Sequence, residues 1–204
     1  MVHIQHIHQP IDYPAGLRLQ EAHVDAILDG NGHDRIFLLE HAPVYTIGRL
    51  RDRSSLSDPA ALPYPVHETN RGGQATYHGP GQLVGYPILN LVPRGKDLHA
   101  HLRNLEDALI RACHHFQVPA GRREGLTGVW VENRKLASIG VGVRKWISMH
   151  GFAINITAQS LPPFLVITPC GIDGVKMTCL ADEAGHEISV AEAAVVIAHE
   201  LREL

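Results

Sequence analysis

The chain has 204 residues, of which 45% are apolar and 19% charged, so it can build a hydrophobic core, and its length predicts one domain spanning residues 1–204. Its net charge of −3 gives no chain-wide basic excess of the kind that binding to nucleic acid or to anionic membranes usually requires. Three cysteines, an odd number, argue against a disulfide framework and favour a reducing compartment, for which the cytoplasm fits best.

Neither a leader segment nor a membrane span is expected. Residues 1–13 contain no Lys, no Arg and no apolar block, which argues against a secretory signal peptide. The longest stretch without an acidic or basic residue, histidine counted as basic, covers 151–172, but polar residues and prolines interrupt it. A spanning helix needs about 20 mostly apolar residues, so this stretch predicts buried strand and loop.

Three helices are predicted, in chain order. Apolar residues recur at helical spacing after Pro14 and predict a helix that ends before the turn at 29–32. Asp97 is a good N-cap for a second amphipathic helix, which Pro119 closes. Ser189 and Glu192 form a capping-box pattern that opens a third helix.

Runs rich in β-forming residues predict the strands. These runs are Arg35–Glu40, Leu83–Leu91, Val129–Val131, Leu136–Val143 and Phe152–Ile156. The last two are separated by a polar segment and are expected to be neighbours in the sheet. Because there is no internal repeat or linker, the predicted fold class is α+β, a mixed β-sheet flanked by α-helices.

A glycine-rich segment, Arg71–Gln82 (RGGQATYHGPGQ), stands directly before a predicted strand. So many glycines allow a ligand to approach backbone N–H groups closely. The segment lacks the Gly-Lys-Ser/Thr ending of a P-loop, and it fails the dinucleotide-binding pattern because Val84 stands where a glycine is needed. Nucleotide binding is therefore not indicated, and by itself the segment also fits a structural turn.

The same segment, with the following Tyr86–Leu89, closely resembles the signature of the lipoyl(octanoyl) transferases. Further blocks similar to that family follow in family order: Leu39–Gly48, Gly125–Val131, Lys135–Gly140, His150–Asn155 and Thr168–Ile172. One departure is Cys179, where serine is frequent in the family. The resemblance implies a catalytic domain like that of the biotin and lipoate protein ligases.

This resemblance implies octanoyl transfer from acyl carrier protein to a specific lysine of lipoyl domains through a thioester on Cys170. A cysteine thioester keeps the donor's activation, so no ATP, other cofactor or metal is expected. A thiol needs a base or a nearby cation to become a thiolate, and Lys135, 35 positions earlier, is implied to supply both. Without the resemblance, Cys170 fits a buried structural cysteine and Lys135 an ordinary exposed lysine.

The resemblance also implies the residues of the acyl and thioester pocket, with His78 positioning the acyl carbonyl. The expected pocket residues are Arg71, Gly72, Gly73, Gln74, Ala75, Thr76, Tyr77, His78, Ser138, Ile139, Gly140, Gly151, Phe152 and Ala153. Expected partners are octanoyl acyl carrier protein, the lipoyl domains of 2-oxoacid dehydrogenase complexes and the glycine cleavage H protein. For acidic partners, three clusters can supply a basic face: Arg49 with Arg51 and Arg53, Arg122 with Arg123, and Arg144 with Lys145.

The 15 histidines do not change this interpretation, because no Cys-x-x-Cys or His-Glu-x-x-His pattern accompanies them. Three alternatives stay open. The chain is an ATP-dependent lipoate or biotin protein ligase, an amidotransferase that moves octanoyl between lipoyl domains, or a module that binds carrier protein or lipoyl domain without catalysis. The Pro-Cys-Gly-Ile element at 169–172 argues against the first, because a ligase needs no cysteine nucleophile, and the presence of both Cys170 and Lys135 argues against the third.

Overall fold

Two β-sheets and four α-helices make up the part of the chain that the computed structural model describes, residues 2–50, 53–56, 61–172 and 174–204. The strands are β1 (His3–Ile11), β2 (Arg35–His41), β3 (Val44–Ile47), β4 (Val66–Glu68), β5 (Thr76–His78), β6 (Gln82–Ile88), β7 (Gly121–Arg123), β8 (Leu126–Val131), β9 (Arg134–Arg144), β10 (Ile147–Asn155) and β11 (Lys176–Met177). The helices are α1 (Tyr13–Leu28), α2 (Leu98–His115), α3 (Leu180–Ala184) and α4 (Val190–Leu201).

The large sheet has the strand order β1-β2-β6-β10-β9-β8-β7, with β11 paired to β9. Only the β1–β2 and β9–β11 pairs among the described strands of this sheet are parallel. The small sheet has the order β4-β3-β5. This is the predicted mixed sheet with flanking helices.

Alternation along the central strands buries both faces of the large sheet. On β2, Ile36 and Leu38 belong to the core cluster that α2 and α4 cover, whereas Phe37 and Leu39 belong to the cluster that α1 covers. A third cluster joins the small sheet to the segment around Phe164. The sheet is therefore a middle layer, with α2 and α4 on one side and α1 on the other.

The predicted helix starts agree with the observed caps. Asp97 accepts a hydrogen bond from Ala100 N at 2.9 Å, and Ser189 accepts one from Glu192 N at 3.1 Å. Pro14 lies in the first turn of α1, where a missing N–H costs nothing. All three predicted helices are confirmed.

The predicted neighbours β9 and β10 form an antiparallel hairpin. Its turn consists of Lys145 and Trp146, with φ of 51° and 66°. Two successive left-handed residues give a turn whose twist matches that of the flanking strands. This hairpin carries Lys135 and much of the cavity described below.

No helix among the described residues combines the length and apolar character that crossing a membrane requires.

Candidate active site

Cys170 lies on a single 3-10 turn, Pro169–Gly171, that packs against the glycine-rich segment. Its backbone is left-handed, with φ 56° and ψ 16°, a conformation that costs free energy for a residue with a side chain. Its N–H donates to Ala75 O at 2.9 Å. This bond fixes the turn to the loop that precedes β5.

The Cys170 thiol contacts two side chains of β9. Lys135 Nζ lies 3.2 Å from Cys170 Sγ, and Ser138 Oγ lies 3.7 Å from it. The structure thus brings the expected cysteine and lysine together across 35 positions of sequence. At this distance, a proton can pass directly between sulfur and nitrogen.

Lys135 is a buried lysine, with 2% of the residue exposed. Its ammonium lies 5.1 Å from the centroid of the Trp130 ring, a cation–π contact. Gly128 forms another wall, since a Cβ there would lie 3.0 Å from Lys135 Cε and 2.5 Å from Ala137 O. The Trp130 ring and the absence of a side chain at Gly128 thus leave room for the Lys135 side chain beside the thiol.

A buried carboxylate on α2 holds that wall. Glu106 is fully buried, and its Oε1 accepts a hydrogen bond from Gly128 N at 2.9 Å. Its Oε2 accepts from Arg103 Nη1 at 2.6 Å and from Arg122 Nε at 2.8 Å. Glu106 therefore ties α2 to the strand against which Lys135 lies.

An inner cavity opens at the thiol and runs beneath the glycine-rich loop. The space between its walls, including the part open to solvent, is about 470 Å³. The expected pocket residues that line it are Arg71, Gly72, Gly73, Thr76, His78, Ser138, Ile139, Gly140, Gly151, Phe152 and Ala153. Most of the expected pocket thus surrounds one space.

Gln74, Ala75 and Tyr77 do not line that cavity. Ala75 contributes its carbonyl to Cys170 N, and Gln74 contributes its carbonyl to Arg71 Nη2 at 2.8 Å. The Tyr77 side chain points away because β5 alternates, and it packs on Phe164 with ring centroids 5.7 Å apart. These three residues support the loop rather than form the cavity wall.

Arg71 crosses beneath the glycine-rich loop as a buried cation. Its guanidinium donates to Thr46 O and Thr46 Oγ1, each at 2.8 Å, and to the carbonyls of Gly72 and Gln74. Burial lowers the pKa of Arg71 from its ordinary value. The loop is thus clamped to β3, and a positive charge stands in the cavity wall.

Three buried histidines stand in or behind the cavity wall. Burial, followed by the neighbouring His41 and Arg71, lowers the pKa of His78 to about 3. Burial also lowers the pKa values of His41 and His150 to about 4. All three rings are therefore neutral at pH 7. His78 Nδ1 lies 2.8 Å from Gln82 Oε1, which holds its ring in place.

Four further cavity-lining residues are missing from the expected pocket: Tyr13, Val84, Tyr86 and His150. Tyr86 and His150 stand within the blocks that resemble the family, and β-strand alternation was the signal that would have added Val84 and Tyr86. Tyr13 comes from the first turn of α1 and carries no sequence signal, because only the packing of α1 over the sheet brings it there.

A second, open groove meets the inner cavity at the thiol. Leu98 and Leu102 of α2 and Leu126 and Thr127 of β8 line it together with Lys135. Gly140 and Cys170 line both this groove and the inner cavity. Cys170 thus lies at the junction of the two spaces and can be reached from both.

The other two cysteines are unlike Cys170, which is partly exposed. Cys113 and Cys179 are buried, and burial raises the pKa of Cys113 to about 12 and that of Cys179 to about 11. Both therefore stay protonated at neutral pH. Cys179 packs in the interior at the start of α3.

The expected basic face is corrected in part, because several of its arginines already have carboxylate partners. Arg122 pairs with Glu106 and with Asp107, the latter at 2.6 Å. Arg144 pairs with Asp25. Within the other clusters, Arg53 pairs with Glu68, Arg123 lies over the Trp130 ring, Arg49 lines the open groove, and Arg51 lies outside the described residues.

Among the described residues, no group of three or more His, Cys, Asp or Glu side chains is arranged to hold a metal ion.

The fold is that of the lipoate protein ligases. Lipoate-protein ligase A bound with ATP superposes with a TM-score of 0.76 at 15% identity, covering 98% of this chain and 84% of that chain. A bipartite lipoate protein ligase from Thermoplasma acidophilum gives 0.74 at 15% identity, over 98% and 82%. The expected fold class is confirmed.

The model of the lipoyl protein ligase A/B catalytic domain matches residues 12–202, and the chain belongs to this family. An octanoyltransferase of Geobacter sulfurreducens is 52% identical over 188 residues, which cover 92% of this chain and 78% of that protein. An octanoyltransferase of Citrifermentans bemidjiense is 50% identical over 188 residues, covering 92% and 90%. The resemblance stated from the sequence is confirmed.

Proposed function

We propose that this protein is an octanoyltransferase that moves an octanoyl group from acyl carrier protein to a lysine of lipoyl domains through a thioester on Cys170. The observation that carries the proposal is the 3.2 Å approach of Lys135 Nζ to Cys170 Sγ, where the inner cavity meets the open groove. The similarity to octanoyltransferases over most of the chain supports it.

In the first half-reaction, the Cys170 thiolate attacks the carbonyl carbon of the donor thioester. The bond between that carbon and the donor sulfur breaks, and the leaving thiolate takes a proton from the Lys135 ammonium. The products are an octanoyl thioester on Cys170 and a free carrier thiol. Lys135 is then neutral and beside the new thioester.

In the second half-reaction, the amine of an acceptor lysine enters along the open groove and attacks the thioester. The bond from carbon to Cys170 Sγ breaks as the amide forms, and Lys135 accepts the proton that the amine loses. The pair of Cys170 and Lys135 regains the proton that it held at the start. No nucleotide, metal or other cofactor is needed, because the donor thioester is already activated.

The oxyanion of each step needs donors other than the Cys170 N–H, which is bonded to Ala75 O. The buried Arg71 cation in the cavity wall favours developing negative charge there. His78, neutral and oriented by Gln82, serves to position the acyl carbonyl.

We propose the lipoyl domains of 2-oxoacid dehydrogenase complexes and the glycine cleavage H protein as acceptors, in the cytoplasm. The open groove reaches Cys170 and Lys135, which gives an acceptor lysine a route to the thiol, and free thiols suit a reducing compartment.

The competing function is an ATP-dependent ligase, which the fold also hosts, since one superposing structure holds ATP. Purified octanoyl carrier protein and apo lipoyl domain should give octanoylated domain without ATP. Modification that requires ATP and free octanoate would favour the ligase, and modification only from an octanoylated lipoyl domain would favour the amidotransferase.

A further inference from the structure

A row of side chains leads from the thiol across the floor of the inner cavity. Ser138 on β9 pairs with Ala153 on β10, and Ala153 pairs with Val84 on β6. Paired residues of neighbouring strands point to the same face of a sheet. All three line the cavity, and Cys170 lies beside Ser138, at the β9 end of the row.

Side-chain size changes abruptly along this floor. On the face of β9 and β10 that Ser138 and Ala153 share, the lining residues are small: Ser138 and Ala153, with Gly140 and Gly151 as a second pair. Ile139 and Phe152 also line the cavity, but they alternate to the opposite face, where they pack with the core cluster under α2 and α4. On β6 the floor residues are Val84 and Tyr86, which are 1% and 3% exposed.

Behind β6 there is no further room on this face. Val84 pairs with Leu39 of β2 and Tyr86 with Phe37, and both β2 residues are buried in the core under α1. The small residues thus form a trough over β9 and β10 that ends at β6. We call Ser138, Ala153, Gly140 and Gly151 the trough, and Val84 with Tyr86 its end wall.

The length of the trough matches one acyl chain length. Neighbouring strands lie about 4.8 Å apart, so the two steps from β9 to β6 span about 10 Å. Seven staggered carbon–carbon bonds of about 1.5 Å extend about 9 Å, which is the length of an octanoyl group. Two more methylenes add about 2.5 Å, and the end wall leaves no space for them.

We propose that Val84 is the residue that sets the upper limit of acyl chain length, and that Ala153 keeps the middle of the trough open. The proposal rests on the proposed function, in which the acyl carbonyl is held at Cys170. The acyl chain crosses the strands at right angles, and its methyl end meets Val84 and Tyr86. Tyr86 closes the side of the end wall, where its hydroxyl lies 2.6 Å from His41 Nε2.

Competition between donors tests the proposal. Hexanoyl, octanoyl and decanoyl carrier proteins are mixed with apo lipoyl domain, and the mass of the modified domain gives the ratio of chains transferred. Val84→Ala should raise the decanoyl-to-octanoyl ratio by about tenfold or more, since one methylene in an apolar pocket is worth about 10- to 200-fold in specificity. Ala153→Leu should raise the hexanoyl-to-octanoyl ratio by a similar factor.

Ile154→Val is the matched control, because Ile154 adjoins Ala153 on β10 but belongs to the core cluster on the opposite face. Its ratios should stay within about twofold of wild type. Unchanged ratios in Val84→Ala, or an equal change in Ile154→Val, would overturn the proposal. If Ala153→Leu does not fold, the decanoyl-to-octanoyl ratio of Val84→Ala alone tests the proposal.

The ratios of transferred acyl chains are measured on the modified lipoyl domain. They therefore report chain-length preference whether or not the acyl group passes through a thioester on Cys170. Wild-type transfer without an acyl group on Cys170 would contradict the proposed thioester route and leave the chain-length result intact. Normal acylation of Cys170 together with unchanged ratios in Val84→Ala would contradict only the proposal that the end wall limits the length of the acyl chain.

Discussion

Lys135 can contact Cys170 because two neighbouring positions are shaped around its side chain. Trp130 offers a ring face to the ammonium, and Gly128 leaves the space that a methyl group would fill. A lysine is rarely fully buried without a partner, and here the thiol and the aromatic ring supply two contacts. The lysine is thus held against the thiol, as the proposed proton transfer requires.

Replacing this lysine separates its charge from its basicity. Lys135→Ala should slow both half-reactions by about 100-fold or more, the range in which general acid–base catalysis contributes. Lys135→Arg keeps the charge but cannot accept the acceptor amine's proton, so transfer to the lipoyl domain should suffer more than acylation. Single-turnover measurements of each half-reaction check this.

Arg18→Ala is the control for these variants, because Arg18 is exposed on α1 and lines neither the inner cavity nor the open groove, so both rates should stay unchanged. Acyl transfer by Lys135→Ala at the wild-type rate would remove the lysine from the mechanism.

At the scale of elements, α2 and β8 meet through the buried Glu106. Glu106 accepts a hydrogen bond from the N–H of Gly128 and also pairs with Arg103 and Arg122. The sequence had suggested Arg122 for docking and had assigned no role to Arg103. A buried carboxylate with three partners stabilises when complete and is costly to break.

Glu106→Ala should therefore lower the free energy of unfolding by about 1–3 kcal/mol, chiefly because the buried N–H of Gly128 loses its partner, whereas Arg103 and Arg122, whose side chains are 55% and 37% exposed, regain water. Asp107→Ala removes only the half-exposed pair with Arg122 and should cost less than about 1 kcal/mol. Urea denaturation of both variants gives the comparison. Equal losses would show that Glu106 contributes no more than an exposed ion pair.

The helices and the central strands were predictable because local patterns specify them. Asp97 and Ser189 cap their helices as expected, and the β9–β10 hairpin follows two β-rich runs joined by a short polar turn. β1 was missed because its histidines and glutamines carry no clear alternation; it is fixed by parallel pairing with β2. β3, β4 and β5 are short, and only pairing with one another reveals them.

The candidate site was predictable only as far as the resemblance reached. Cys170 and Lys135 carry no local signal that they meet, since sheet topology joins β9 to the turn after residue 168. Tyr13 and Glu106 reach the site region from helices whose sequence shows only amphipathic spacing. Long-range packing of this kind is not encoded in any short window of sequence.

At the scale of the whole molecule, buried neutral histidines make the fold sensitive to acid. Burial lowers the pKa of His78 to about 3 and those of His41, His101 and His150 to about 4. In the unfolded chain these groups titrate near 6.5 and so bind protons that the folded state excludes. Stability is therefore fully present above about pH 6.5 and is lost as the pH falls toward 4.

We expect the free energy of unfolding to fall by more than about 3 kcal/mol between pH 7 and pH 4.5. His150→Gln, which removes a buried ring with an unpartnered Nδ1, should make this fall shallower. His99→Gln, at an exposed position of α2, should leave the fall in the free energy of unfolding unchanged. Urea titrations at several pH values check this, and a flat profile in wild type would contradict the neutral buried rings.

The whole proposed reaction depends on the thioester on Cys170, and the mass of the protein shows whether it forms. The enzyme is incubated with octanoyl carrier protein and no acceptor, and intact mass with peptide mapping locates any added group. We expect one octanoyl group on Cys170, none on the buried Cys113 or Cys179, and loss of that group when apo lipoyl domain is added. An octanoyl group on another cysteine, or an unmodified protein that still turns over, would contradict the proposed thioester route.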